Sequence, residues 1–99
     1  MSKFNDLING STPVLIDFFA EWCSPCHTMT PIIKDIKSNY SEKLKVIKIN
    51  IDKNVIVADK FQVKGVPTFI LYKKGEIVWR KAGIIDKGNF IDQLDSIME

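Results

Sequence analysis

The segment Val14-Leu15-Ile16-Asp17-Phe18-Phe19-Ala20 limits the folds open to this chain more than any other. It has the length of a strand, and its apolar character does not alternate. A strand with one face in water would carry a polar residue at every second position, so both faces of this one are covered. Helices on both sides of a sheet are the usual cover. A chain of 99 residues with 45% hydrophobic content can bury such a strand within one compact domain, residues 1–99, and is too short for two. No repeat, low-complexity tract or Pro/Gly/Ser-rich linker marks an internal boundary.

The neighbouring segments supply the cover. Phe4, Leu7 and Ile8 are spaced for one short helical face, ended by Gly10-Ser11-Thr12-Pro13. From Cys23 onward, Met29, Ile32, Ile33, Ile36 and Tyr40 recur at helical spacing. Pro31 sits inside that run, where its missing backbone donor is expected to kink the helix. Lys45 to Ile51 is rich in β-branched residues and reads as a second strand. Asp52 or Asn54 is placed to cap a helix that turns Val55, Ala58 and Phe61 inward. Thr68 to Lys73 and Glu76 to Ala82 flank Lys74-Gly75, the signature of a tight hairpin. Asp86 opens a closing amphipathic helix with Phe90, Ile91, Leu94, Ile97 and Met98 on one face. These elements in this order predict an α/β fold, a mixed sheet with helices on both faces, its first two strands parallel through a right-handed crossover.

Charge narrows the function. Charged residues make up 26% of the chain, both signs are interspersed, and the formal net charge is +2. Such a balance does not suit the dense phosphate neutralisation of a nucleic-acid binder. No apolar stretch approaches the roughly 20 residues that cross a bilayer, so no membrane is expected as a partner. Met1 to Gly10 lacks the basic start, apolar run and small-residue site of a secretory signal, and the expected location is the cytoplasm.

Two residues separate Cys23 from Cys26 in Trp22-Cys23-Ser24-Pro25-Cys26. In a cytosolic α/β chain that spacing reads as a redox motif rather than a structural staple. Three residues along a helix advance about 4.5 Å and nearly complete a turn, which brings the pair near disulfide distance. Unpaired amides at a helix start favour a thiolate at Cys23. A zinc clamp is the competing reading, but zinc takes about four ligands and only His27 stands ready to join the thiols. No metal and no separate cofactor are expected.

The run from Val14 to Cys26 resembles the active-site segment of the thioredoxin family. The likeness extends to Pro31, to Lys48-Ile49-Asn50-Ile51-Asp52, to Gly65-Val66-Pro67-Thr68, to Gly83 and to Asp86-Lys87-Gly88, with the motifs in order. The residues before Val14 read as helix and loop, so the usual first edge strand is expected to be absent, leaving a thioredoxin fold of four strands. Ser24 stands where glycine is commonest in the family, and His27 where a lysine or arginine is usual.

The resemblance implies a thiol-disulfide oxidoreductase that reduces protein disulfides, recharged by an NADPH-linked thioredoxin reductase. By the same resemblance Cys23 is the exposed nucleophile and Cys26, one turn deeper, resolves the mixed disulfide. Asp17 is a carboxylate in an apolar strand, costly to bury unless used; held partly neutral, it is suited to exchange a proton with Cys26. A solvated edge position is the alternative for Asp17. Lys48 matches the family's partner lysine, and a plain surface lysine is an equal reading. The resemblance makes the Val66-Pro67 bond cis, setting the Val66 backbone opposite Cys23 to pair with an extended substrate, whereas an X-Pro bond taken alone is usually trans.

Trp22, Ser24, Pro25, Val66, Pro67 and Gly83 are then the substrate-binding residues, with Ile51 and Ile84 completing an apolar collar. Trp79 is read as packing. His27 is read as facing solvent, its charge near the helix start assisting the thiolate. A monomer suffices. Three other readings share the motif: a disulfide oxidase or isomerase, a non-catalytic binding module on the same fold, and an iron-sulfur cluster shared between two chains.

Overall fold

In the computed structural model, which describes residues 2–98 with side chains from residue 5, the apolar run becomes β1 (Val14–Phe19), at the centre of the sheet. Around it lie β2 (Lys45–Asn50), β3 (Thr68–Lys73) and β4 (Glu76–Ala82), in the order β2-β1-β3-β4. The β1–β2 pair is parallel, and the other two pairs are antiparallel. The sheet is therefore mixed and four-stranded, as expected for this fold. The parallel register sets Asp17 against Lys48 and Phe19 against Asn50.

Among the described residues four α-helices cover the sheet: α1 (Ser2–Ile8), α2 (Ser24–Tyr40), α3 (Val55–Lys60) and α4 (Lys87–Met98). Because side chains alternate across a strand, β1 feeds two cores. Leu15 belongs to a cluster with Met29, Ile33, Ile36 and Tyr40 of α2, Phe69 and Leu71 of β3, and Phe90 and Leu94 of α4. Val14, Ile16 and Phe18 meet Ile8, Ile49, Phe61, Ile70 and Tyr72 on the other face. Helix α2 runs unbroken through Pro31. Asp86 accepts from the Asn89 amide at 3.0 Å, which caps α4 as its sequence position suggests.

Three expectations are corrected. Val55 is 57% exposed, and Val57 packs inward with Ala58 and Phe61 in its place. Residues 57, 58 and 61 share a narrow stripe, whereas Val55 lies about 120° around the helix from Phe61 at 100° per residue. Asn54 stands at the N-cap of α3 without a side-chain bond to the helix, and the Asp52 carboxylate is engaged elsewhere. Leu7 is exposed while Ile8 is buried; the Phe4 side chain lies outside those described.

Candidate active site

The end of β1 and the start of α2 bring the cysteines together. Cys23 is the N-cap residue of α2, in extended conformation, and its Sγ accepts from the Cys26 amide at 3.1 Å. Pro25 occupies the first turn, where a missing donor costs little. The pair forms a disulfide with a Cα–Cα separation of 5.2 Å, inside the range such a bond accepts.

Exposure does not distinguish the two sulfurs as expected. Cys23 is 3% exposed and Cys26 8%, so Cys23 is not the more open residue in the disulfide state. Both are packed with Ala20, Phe19, Ile51 and Val66. What separates them is their surroundings. Cys23 Sγ lies at the helix N-terminus, 3.5 Å from the Val66 carbonyl oxygen. Cys26 instead lines a cleft of about 110 Å³ shared with Asp17, Lys48, Thr30, Glu21 and His27.

Asp17 is 4% exposed, which excludes the solvated edge position. Burial pushes its carboxyl up to about 6, against a smaller downward pull from the Lys48 ammonium. Lys48 itself is exposed, with its Nζ 5.3 Å from the centre of the Phe19 ring. The register of the two strands thus puts both members of the predicted pair beside Cys26.

The Val66-Pro67 bond is cis, and Pro67 is fully buried. The Thr68 hydroxyl donates to the Gly65 carbonyl at 2.7 Å, and the Gly83 amide, at φ 90°, donates to the Pro67 carbonyl at 2.9 Å. The first bond braces the loop internally, and the second ties it to the end of β4. Around the disulfide Trp22 is 70% exposed and Ile84 55%, Ser24 and Pro25 are exposed, and Val66, Ile51 and Gly83 are half-buried. Trp79 packs on Phe90 and donates to Gln93 at 2.9 Å, away from the cysteines.

Two contacts are not legible from local spacing. Trp22 Nε1 donates to Asp52 Oδ2 at 2.8 Å, and His27 Nε2 lies 2.8 Å from the Glu21 carbonyl oxygen. The first had a signal in the parallel pairing: Trp22 and Asp52 each follow a strand by two or three residues at the same end of the sheet. His27 is exposed, as read, but it also lines the cleft that holds Asp17.

Among the described residues, no group of three or more His, Cys, Asp or Glu side chains is placed to hold a metal ion. No described helix is long and apolar enough to cross a membrane. The redox group is the cysteine pair itself.

Comparison with known proteins converges on one family. The family model described as Thioredoxin matches residues 1–96. A thioredoxin of Rickettsia bellii is 40% identical over 91 residues, covering 92% of this chain and 87% of that protein. One of Buchnera aphidicola subsp. Baizongia pistaciae is 43% identical over 89 residues, covering 90% and 82%. The solved structure of a mutant thioredoxin from Halobacterium salinarum superposes with a TM-score of 0.89 at 31% identity, covering 100% of this chain and 86% of that one. With its cysteine pair, sheet order and helices in place, the chain belongs to the thioredoxin family and is a thiol-disulfide oxidoreductase that reduces protein disulfides.

Proposed function

We propose that Cys23 is the attacking thiol and Cys26 the resolving one. The observation that carries this assignment is the Cys26 amide directed at Cys23 Sγ, at the cap of a helix whose dipole favours negative charge there. In the dithiol state the Cys23 thiolate attacks one sulfur of a substrate disulfide, and the departing substrate thiolate takes a proton from solvent. The Cys26 thiol then gives its proton to the Asp17 carboxylate in the shared cleft. The resulting Cys26 thiolate attacks Cys23 Sγ and expels the second substrate sulfur as a thiolate, which takes up a proton from solvent as Asp17 releases its own, leaving the Cys23–Cys26 disulfide. Two electrons pass to the substrate, and no cofactor takes part.

Lys48 modulates this step by favouring ionised Asp17. Trp22, Ser24, Pro25, Val66 and Gly83 form the surface on which a substrate segment lies, its backbone beside that of Val66, and buried Pro67 serves substrate binding by holding Val66 in place. A dithiol-regenerating partner is required, and an NADPH-linked flavoprotein of the thioredoxin reductase class fits. We read residues 1–99 as one domain that acts as a cytoplasmic monomer in electron transport.

Insulin-disulfide reduction, coupled to such a reductase and to NADPH oxidation, tests the assignment. Cys23→Ser is expected to abolish turnover. Cys26→Ser is expected to stop after one addition, giving a mixed disulfide seen as a substrate-sized mass adduct that dithiothreitol removes. An adduct on Cys26 in the Cys23→Ser protein, with none on Cys23 in Cys26→Ser, would reverse the roles.

A further inference from the structure

A helix residue one position after Cys26 is expected to turn away from it, yet His27 is tied back. Its Nε2 meets the Glu21 carbonyl oxygen at 2.8 Å. A carbonyl oxygen only accepts, so Nε2 carries the hydrogen whether the ring is neutral or charged. The bond joins the first turn of α2 to the segment leaving β1. Along with Asp17, Glu21, Cys26, Thr30 and Lys48, the imidazole bounds the cleft of about 110 Å³.

We propose that His27, clasped to Glu21, is a positioning residue that forms the outer wall of this cleft and sets how much water reaches the Asp17 carboxyl. Its bearing on catalysis rests on the proton transfer from Cys26 to Asp17 proposed above; the wall itself does not. Of the groups facing Asp17, Lys48 on β2 pulls its ionisation toward lower pH. The Glu21 carboxylate is 3.7 Å from Lys53, on the surface, and Cys26 and Thr30 of α2 are uncharged. Desolvation is the larger influence. Removing a wall hydrates the carboxylate and lowers its midpoint, whereas removing a positive imidazolium raises it. The sign of the change therefore separates the two roles.

The test is the carbon-13 NMR titration of the Asp17 carboxyl in the oxidised full chain. His27→Ala is expected to lower the Asp17 midpoint by about one pH unit, toward that of a hydrated carboxylate. His27→Gln keeps a donor for the Glu21 carbonyl and most of the bulk, and is expected to leave the midpoint within about 0.3 unit of the parent, because solvation rather than charge decides it. A midpoint unchanged or raised in His27→Ala overturns the proposal, as does a rise of about a unit in His27→Gln, which keeps the measurement decisive if the alanine protein misfolds. The pH profile of mixed-disulfide resolution is measured alongside. If the NMR midpoint falls while that profile stays fixed, the wall stands and Asp17 is not the acceptor of the Cys26 proton.

Discussion

Asp17 trades stability for chemistry. Its carboxyl titrates near 3.8 when exposed and is pushed up to about 6 by burial. Between those values the folded chain holds the proton more tightly than the unfolded one. The stabilisation from protonated Asp17 is thus complete below about 4 and is lost as pH rises through about 6. At pH 7 the ionised carboxylate costs about 2–3 kcal/mol. Asp17→Asn is expected to recover about that much in urea unfolding of the oxidised protein at pH 7, and almost none at pH 3.5. The same substitution should slow resolution of the mixed disulfide in single-turnover kinetics. Asp17 was legible in the sequence because a lone carboxylate in an apolar strand has few explanations. The Trp22–Asp52 and His27–Glu21 contacts were not legible from local spacing, since one partner lies 30 residues away beyond the neighbouring strand and the other is a backbone carbonyl.

At the scale of elements, the β3–β4 hairpin depends on its turn. Lys74 and Gly75 have φ of 53° and 81°, the left-handed pair that matches the twist of a two-residue hairpin. The Gly75 amide also donates to the Ile8 carbonyl at 2.9 Å, joining the turn to the end of α1. A Cβ at position 75 would run into the Asn9 side chain, which can swing aside, so the backbone conformation sets the cost. Gly75→Ala is expected to destabilise by about 1–2 kcal/mol, read as a lower urea midpoint with an unchanged slope. The hairpin was plain in the sequence because Lys-Gly between two β-rich runs is a local signal. The facing of α3 was not: six residues make fewer than two turns, and the sheet beneath decides which side is buried.

Across the whole molecule aromatic contacts close both cores, Phe61 against Phe18 and Tyr72 on one face and Phe90 on the other. Phe90 sits 5.1 Å from the Phe69 ring and 5.3 Å from that of Trp79, so α4 is fastened to β3 and β4 by aromatic contacts. Phe90→Ala is expected to cost about 3–5 kcal/mol, a large part of the roughly 5–15 kcal/mol typical of a domain. Calorimetry should show one lowered transition, because β1 contributes to both cores and neither face can melt alone. Separate transitions for the two faces would contradict that coupling.

By itself the sequence determined the α/β class, the strand covered on both faces, the helix that begins at the cysteines and the odd carboxylate in that strand. The class follows from the order of the elements, and the others from spacing within one segment, where covalent geometry sets the period of burial. Tertiary structure alone decided that Cys23 is no more exposed than Cys26 in the disulfide, that Trp22 bonds to Asp52, and that His27 bounds the Asp17 cleft. Those contacts depend on strand register and on how loops close over the end of the sheet. A one-residue change of register would undo them while leaving most local patterns in the sequence as they are.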